Sequence, residues 1–477
     1  MADARGFRYL SKQAITTPRR QLTLFDTTCI IVGIIIGAGI YETTPLIASN
    51  VSTPGMLIWV WCLGGFIALV GALCYVELSS TYPYEGGDYV FLSRAYGSKC
   101  GLLFAWAEYW IIRPGNVGMM AFVFARFAND LYPLRLVAGS SRFDFLTYAN
   151  GSIVLLTALN LLGVRSGKLT QNILTSIKVL GLFAIFVIGM LVVPARPAAD
   201  VAASSAGPAN FQLALILVLF TYGGWNEVSY VAAEVREPGK NIFRSLVLGT
   251  LLITAIYVAV NVSFIRTLGL EDTRTSEAVA ADVLRLRFGD RAGRMMSLLV
   301  CLSCLGSING MVFTGSRVFY AAGADHKLVA WLGKWSGRFD TPLRALLVQL
   351  AVTLALVIGF GWYEQGFERL LHFTAPVFWF FAALVGLSLF ILRWKDPKSE
   401  RPYRVFLYPL TPALFCVACV FLFHSSFTYA WANRSVEAQW TLGILIAGIA
   451  IICLVPGVNA RAEEQRTQNS KNEDQRG

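Results

Sequence analysis

The sequence predicts an all-α polytopic membrane protein, and three observations lead to this fold class. Of its 477 residues, 56% are hydrophobic and only 14% are charged, whereas soluble domains carry about 25% charged residues. Apolar runs of about 18 or more residues recur along almost the whole chain, and each can cross a hydrocarbon core of roughly 30 Å. Two of these runs hold glycines at their centres, which predicts helices that are broken at membrane depth.

Twelve apolar runs are predicted to be membrane spans. They lie near residues 24–48, 55–80, 100–128, 147–163, 170–193, 211–233, 246–268, 295–322, 343–361, 371–393, 405–427 and 440–456. An even number of spans puts both termini on one side, and the tails and loops of that side hold most of the Lys and Arg residues. This asymmetry follows the positive-inside rule. We therefore expect cytoplasmic termini and a location in the plasma or inner membrane of the cell.

Composition also excludes several function classes. The net charge of +11 follows the membrane topology, so it does not indicate nucleic-acid binding. The Cys301/Cys304 and Cys416/Cys419 pairs have metal-ligand spacing, but they lie inside apolar runs and are interpreted as small core residues. The three histidines are far apart, and no nucleophile–base pair is recognisable. We expect no metal, no cofactor and no enzymatic activity.

The first broken run contains Gly37-Ala38-Gly39. A new half-helix beginning at Ile40 would present its free N–H groups and the positive end of its dipole, which suits a carboxylate. The alternative is close helix packing, because Gly33 and Gly37 have the small-xxx-small spacing.

The second broken run lies near the middle of the chain. It comprises Tyr222, Gly223, Gly224, Trp225 and Asn226. A break here would free the carbonyls of residues 220–222 for an ammonium group, and Phe220 could close over a ligand as an aromatic gate. Tertiary packing of the glycine pair is the alternative reading.

The two breaks lie about five spans apart. An odd number of spans per repeat places the second copy in the opposite membrane orientation, which is the architecture of transporters with broken helices. The predicted division is a cytoplasmic tail (1–22), a first inverted repeat (23–194), a second inverted repeat (195–395), two appended spans (396–458) and a second cytoplasmic tail (459–477). This five-plus-five arrangement, with spans 1 and 6 broken, is LeuT-like.

Lys178 lies in the middle of the fifth span, where an ammonium group is costly and is usually functional. It could hold the place that a coupling sodium ion would take, or tie span 5 to the first break and to span 8. Ser303, Ser307 and Asn309 in span 8 are candidate partners for it. The alternatives are a lysine that snorkels to the interface and ordinary hydrogen bonds between helices.

Two acidic residues follow the breaks closely. Glu42 and Glu227 could read a cationic side chain, take part in proton exchange, or complement the dipole of a half-helix. Arg113, before Pro114 in span 3, is interpreted as a buried cation that pairs with a carboxylate.

Four motifs together resemble the amino acid–polyamine–organocation superfamily and, within it, the L-type amino-acid transporter family. They are Gly37-Ala38-Gly39-Ile40; Pro83 to Tyr89 with Ile111-Ile112-Arg113-Pro114; Tyr222 to Asn226 followed by Glu234, Pro238 and Asn241; and Gly306 to Gly310 followed by Phe313 to Arg317. Each is weak alone, but their order is that of the family. They cover about residues 20–320.

The resemblance implies a sodium-independent amino-acid transporter, often an exchanger, that works by alternating access. It implies that the substrate carboxylate meets Gly37, Ala38 and Gly39 and that the amine meets the backbone of residues 220–223, with Phe220 as the gate. The wider predicted substrate site also includes Tyr222, Gly224, Trp225, Asn226 and Glu227, with Lys178, Ser307 and Asn309 in coupling or gating roles.

The chain departs from the animal members of the family in one loop. Those that are disulfide-linked to a heavy chain carry a cysteine between spans 3 and 4, and residues 129–146 contain none. We therefore expect a single-chain bacterial carrier whose partners are its amino-acid substrate and the lipid bilayer. Glu42 and Glu227 are unusual for a carrier of neutral substrates, so a proton-coupled carrier of cationic amino acids or polyamines remains the alternative.

Overall fold

A computed structural model gives the arrangement of the chain. It describes residues 18–136, 141–191, 210–276, 278–289, 291–363 and 365–454. The predicted tails at 1–22 and 459–477 therefore lie wholly or mostly outside the described residues.

The described residues fold almost entirely into α-helices. In chain order these are α1 (Leu24–Ile35), α2 (Gly39–Ser49), α3 (Pro54–Thr81), α4 (Asp88–Tyr96), α5 (Ser98–Ala107), α6 (Arg113–Leu131), α7 (Ser141–Leu161), α8 (Val164–Leu191), α9 (Phe211–Thr221), α10 (Glu227–Tyr230), α11 (Pro238–Thr275), α12 (Val279–Phe288), α13 (Arg291–Asp325), α14 (Leu343–Gly361), α15 (Gly366–Lys395), α16 (Leu410–Asn433) and α17 (Ser435–Leu454).

Every predicted span has a helical counterpart. Within the described residues, eight helices are long and apolar enough to cross a membrane, and the bent pair α1 and α2 can be counted as a ninth span. The fold is thus an all-helical polytopic membrane protein, as the sequence predicts. Span 3 is made of α5 and α6, joined by a π-helical turn at Glu108–Ile112. Because Pro114 has no N–H and its ring displaces the preceding turn, the wider turn absorbs the mismatch.

The first break begins from a firmly capped helix. The side chain of Thr23 accepts from the Asp26 N–H, and the Asp26 carboxylate accepts from the Thr23 N–H, which forms a capping box. Helix α2 begins at Gly39, one residue before the predicted start at Ile40, and it lies at 46° to α1. The glycines at residues 37 and 39 thus mark a real bend.

The second break differs from its prediction in one respect. The sequence favours a half-helix that continues to about residue 233, but α10 is a single turn of four residues. A 3-10 turn at Ala232–Glu234 follows it, before Pro238 opens α11. Pro238 restricts the residue before it to non-α conformations, so no continuous helix can run from α10 into α11.

Burial separates the helices into an inner and a lipid-facing group. Helices α1 and α13 are largely buried, whereas α8, α16 and α17 expose leucine, isoleucine and valine side chains. Exposed apolar side chains on long helices fit contact with lipid. The first break, which follows α1, therefore lies next to the inner group.

The side of the molecule on which α4 lies is closed. There, Leu22 forms a β-bridge with Val235, and its carbonyl accepts from the N–H of Arg236 at 2.9 Å. Beside it, Arg317 and Glu234 form a fully buried ion pair at 2.8 Å. The region just before α1 is thereby joined to the segment that follows α10 and to α13. We call this the α4 side.

Candidate functional site

The first break leaves carbonyl groups at the end of α1 without helical partners, and Lys178 takes two of them. Its ammonium group is fully buried and donates to the carbonyls of Gly33 and Ile36, each at 2.7 Å, and to that of Ser303 at 2.8 Å. A charged donor with three acceptors satisfies all three of its hydrogens. Lys178 therefore ties α8 to the first break and to α13.

Two serines of α13 complete this capping. The Ser303 hydroxyl lies 3.1 Å from the carbonyl oxygens of Ile36 and Gly37. The Ser307 hydroxyl lies 3.0 Å from that of Gly33 and 3.2 Å from that of Ile34. Side chains of α8 and α13 thus hold the carbonyls of the first break.

The N–H groups that follow the first break differ from its carbonyls in their hydrogen bonding. Those of Ala38, Gly39 and Ile40 donate no hydrogen bond within the described residues. They form the start of α2, an eleven-residue helix, so the positive end of its dipole adds to them. This half of the break offers donors to an anion.

The second break offers acceptors. The N–H of Gly223 turns back to the carbonyl of Phe220 at 3.0 Å, and Gly224 has a positive φ of 115°, a conformation that glycine adopts without strain. Among the described residues, the carbonyls of Tyr222 and Gly223 accept no hydrogen bond. Free carbonyls suit an ammonium group.

The two breaks touch each other. A Cβ atom added to Gly39 would lie 2.9 Å from the Thr221 side chain, and one added to Gly224 would lie 2.9 Å from that of Ile34. The hydroxyls of Thr43 and Thr221 are 3.0 Å apart. Glycine at both breaks is therefore required for the close approach that puts donors and acceptors in one place.

A cavity of about 830 Å³, measured to its open mouth, lies where the breaks meet. Of the predicted residues, it is lined by Gly37, Gly39, Phe220, Gly223, Gly224, Asn226 and Glu227. The structure thus brings most of the predicted substrate-binding residues to one wall.

Other predicted residues lie away from the cavity wall. Tyr222 is fully buried, and its hydroxyl donates to the carbonyl of Trp61 at 3.1 Å. Trp225 packs its ring 6.3 Å from that of Trp379 on α15, because the turn at Gly224 directs it outward from the break. Ala38 is buried but is not among the lining residues.

The sequence predicts Asn309 as a partner of Lys178, but the structure places it elsewhere. Its side chain donates to Gln171 at 2.8 Å and to the carbonyl of Gly167 at 3.1 Å, and it accepts from Asn160 at 2.9 Å. It lies two turns along α13 from Ser303, and so it contacts α7 and the start of α8 rather than the ammonium group.

Glu227 does not face the cavity as a free carboxylate. Arg113 donates to both of its oxygens, at 3.0 and 3.1 Å, and the Thr314 hydroxyl donates to it as well. Arg113 also donates to Glu108 at 2.7 Å. The predicted structural pairing of Arg113 is present, and it neutralises much of the charge that Glu227 would show to a ligand.

Glu42 is also paired. It forms an ion pair with Arg126 of α6, and the Arg126 side chain is 54% exposed. This pair bridges α2 and α6 near a second, open cavity that is lined by Arg126, Asn129, Asp130, Ser141, Arg142 and Phe145. Because the pair is solvent-accessible, it can separate at small cost.

Sequence reasoning missed the opposite wall of the main cavity. It is formed by Asn116, Met119, Met120, Met311, Thr374, Ala375, Phe378 and Trp379. These side chains come from α6, α13 and α15, and in the sequence they look like ordinary core residues. The only available signal was the Thr374-Ala375-Pro376 step within a long helix, since proline there weakens the backbone ladder.

A polytopic helical fold with two apposed helix breaks around one cavity defines a secondary transporter of the broken-helix class. Residues 22–455 match the family model described as amino acid permease. The chain belongs to this family, a branch of the amino acid–polyamine–organocation superfamily with the LeuT fold, and it is a transporter rather than an enzyme.

Three human relatives show where in the family the chain lies. It is 30% identical to the large neutral amino acids transporter small subunit 2 over 449 residues, covering 92% of this chain and 79% of that protein. It is 30% identical to the b(0,+)-type amino acid transporter 1, covering 85% of this chain and 82% of that protein. It is 29% identical to the cystine/glutamate transporter, covering 85% and 79%.

Proposed function

We propose that the protein is a sodium-independent exchanger of large neutral amino acids that works by alternating access. The observation that carries the proposal is the cavity between the two breaks, which is lined by Gly39 with its free N–H group and by Gly223 with its free carbonyl. An amino acid carries a carboxylate and an ammonium group on one carbon, and the cavity offers a donor to the first and an acceptor to the second.

The apolar wall supports a neutral side chain. Met119, Met120 and Phe378 line the cavity and favour apolar contact. The two carboxylates nearest the breaks, Glu227 and Glu42, are each paired with an arginine. A cationic side chain would have to displace an existing partner. One of the relatives is named for large neutral amino acids, and the proposal extends that substrate class to this chain.

Sodium independence rests on Lys178. Its ammonium group already binds carbonyls of Gly33, Ile36 and Ser303 at 2.7 to 2.8 Å, and a sodium ion would need oxygen ligands of the same kind. A fixed charge in this position leaves no need for a bound ion to hold the first break to α8 and α13.

The organisation of the chain follows from the same reasoning. We propose that residues 23–194 and 195–395 are inverted repeats, supported by one break near the start of each. We also propose cytoplasmic termini from the distribution of Lys and Arg, and a bacterial, single-chain carrier from the lack of cysteine in residues 129–146.

Uptake into liposomes tests this function. The purified protein is reconstituted, and uptake of labelled leucine, phenylalanine, glutamate, lysine and putrescine is measured with and without unlabelled substrate inside, and with and without sodium or a proton gradient. We expect leucine and phenylalanine uptake that needs internal substrate and ignores sodium. Uptake of lysine or putrescine into empty liposomes, driven by the proton gradient, would instead establish the alternative carrier.

A further inference from the structure

A buried carboxyl group lies just beneath the substrate cavity on the α4 side. Asp88, the first residue of α4, is 4% exposed. Its Oδ2 accepts from the Tyr230 hydroxyl at 3.0 Å and lies 3.5 Å from the amide nitrogen of Asn226. Its Oδ1 is buried and has no hydrogen-bond partner among the described residues.

Among the described residues, no cation forms an ion pair with this carboxyl. The guanidinium of Arg113 is already shared by Glu108 and Glu227. A buried carboxylate with an oxygen that accepts no hydrogen bond is costly, and such a group keeps its proton. Burial, with Glu108 and Glu227 nearby, raises the pKa of Asp88 to about 7.

Two neighbouring tyrosines oppose this rise without cancelling it. The side chains of Tyr75 on α3 and Tyr230 lower the pKa of Asp88 against the larger effect of burial. On the other faces of α4, Tyr89 donates to Asp325 of α13 at 2.8 Å, and Lys395 of α15 donates to the Ala95 carbonyl at 2.8 Å. Asp325 and Lys395 are thus engaged with partners other than Asp88.

The position of Asp88 connects it with closure of the cavity. The loop before it is pressed against α10. The N–H of Gly86 donates to the Tyr230 carbonyl at 3.0 Å, and a Cβ atom on Gly87 would lie 2.3 Å from the Ser229 hydroxyl. Asn226, which lines the cavity, donates to the Tyr230 hydroxyl at 2.9 Å. Substrate can leave on the α4 side only if α10 and this loop separate.

We propose that the Asp88 carboxyl is a proton-binding site that couples opening of the α4 side of the substrate cavity to pH, with the protonated acid favouring the closed form. This inference rests on the proposed transport function, because it concerns the exit from the same cavity. Separation of α10 from the loop would expose Asp88 to water, where a carboxyl ionises near pH 4. The closed form therefore binds the proton more tightly than the open form, so a rise in pH through about 7 favours opening.

The direct test is chemical labelling of a cysteine placed in the closure. Ser229 is fully buried and contacts the loop, so the Ser229→Cys thiol reacts with a small maleimide only when the α4 side opens. Labelling is measured in detergent at pH 6 and pH 8 and divided by the labelling of a Lys398→Cys protein, whose thiol lies in an exposed loop outside the predicted spans. In both proteins the nine native cysteines are replaced by serine or alanine.

We expect the labelling ratio to rise at least about fivefold from pH 6 to pH 8 in the Ser229→Cys protein. With Asp88→Asn added, which imitates the protonated acid, the ratio should stay at its low value at both pH values. Tyr230→Phe removes a donor to the carboxylate, so the rise should move to higher pH rather than vanish. This second variant keeps the test decisive if Asp88→Asn does not fold.

Glu237 supplies the matched control. It lies in the segment after α10, and both side chains of its ion pair with Lys240 are 71% exposed, so opening changes the surroundings of this carboxylate little. We expect Glu237→Gln to keep the pH-dependent labelling of the parent. If Asp88→Asn also keeps the rise, or if the parent shows no rise, the proposal is overturned.

The labelling needs no transport, so failure of the two proposals can be told apart. If the protein carries no amino acid in liposomes but shows the expected labelling, the transport proposal fails and the proton site stands. If leucine exchange is found but labelling ignores pH, the transport proposal stands and the proton site fails.

Discussion

At the first break, side chains from α8 and α13 occupy the carbonyls at the end of α1, whereas at the second break the carbonyls of Tyr222 and Gly223 have no donor in the described part of the chain. The N–H groups of Ala38 to Ile40 are open, while that of Gly223 turns back onto Phe220. The first break has thus kept only donors for a ligand, whereas the second still has open acceptors at Tyr222 and Gly223.

This difference teaches why two similar breaks are not interchangeable. A break with all its polar groups open would need water or ions at both ends. Lys178, Ser303 and Ser307 form hydrogen bonds with the carbonyls of the first break. This break therefore offers only N–H groups, which attract the carboxylate of a substrate. Polarity at the site is thus set by three side chains that do not themselves line the cavity.

The largest expected effect comes from removing the ammonium group that fills the first break. Lys178→Ala leaves three carbonyls without their donor, and each unsatisfied buried group costs about 1–3 kcal/mol. We expect leucine exchange to fall at least about 100-fold while the protein is still inserted in the membrane. Exchange in liposomes, normalised to protein amount, measures this.

Lys168→Ala is the control for that change. Lys168 lies on the same helix but is partly exposed and pairs with Asp26 at 3.0 Å. Its loss should lower exchange by less than about fivefold, since such pairs contribute little. Wild-type exchange in Lys178→Ala would contradict the role assigned to the ammonium group.

The next effect concerns the open acceptors of the second break. Gly223→Val adds a branched side chain where even a Cβ would lie 3.1 Å from the Phe220 carbonyl. We expect leucine affinity to fall at least about 30-fold, because the added atoms block the backbone that receives the ammonium. Equilibrium binding of labelled leucine to the purified protein measures this.

Gly359→Ala serves as the matched glycine substitution. A Cβ on Gly359 meets no atom within 4 Å, so leucine affinity should stay within about twofold of the parent. If Gly223→Val also bound leucine normally, the second break would not be the amine site.

A smaller and more selective effect is expected at Glu227. Glu227→Gln removes one of the two carboxylates that pair with Arg113. We expect exchange of leucine and of phenylalanine to fall by the same factor, about 10-fold, because the change weakens a buried ion pair rather than a substrate contact. Exchange of both labelled substrates, with labelled lysine as a third, in the same vesicle preparation measures this.

Glu368→Gln, at an exposed pair with Arg434, should leave both activities unchanged. Selective loss of lysine transport in Glu227→Gln would mean that Glu227 reads the substrate side chain after all.

The smallest effect is expected at the ion pair between Glu42 and Arg126. Both side chains are partly exposed, so the pair is worth at most about 1 kcal/mol and is screened by salt. Glu42→Gln should change exchange by less than about fivefold. The difference should shrink as the ionic strength is raised from about 50 mM to about 500 mM. A large effect that is independent of salt would show that Glu42 acts on the substrate directly.

The positions of both breaks were predictable because glycine destabilises a helix. Glycines at the centre of an apolar run therefore indicate a bend or a close approach. The sequence also singled out Lys178, since an ammonium group at membrane depth is costly without acceptors. These predictions depend on single residues whose burial is forced by their place in a long apolar run.

Side-chain direction at the second break could not be predicted in the same way. The positive φ of Gly224 turns Trp225 toward α15 and away from the cavity, and hydrophobic periodicity contains no signal for such a turn. The cavity wall formed by Met119, Met120 and Phe378 was missed because apolar residues of a wall and of a core look alike until the helices are placed.

The most direct test is whether one break binds the carboxylate of the substrate and the other binds its ammonium group. Leucine, leucine methyl ester and N-acetyl-leucine are each used to displace labelled leucine from the purified protein. The ester lacks the carboxylate that the first break would hold, and the acetyl compound lacks the ammonium group that the second would hold. We expect both derivatives to bind at least about 30-fold more weakly than leucine. If either derivative displaces the label as well as leucine does, the corresponding break does not bind the substrate, and the assignment of the two substrate groups to the two breaks is wrong.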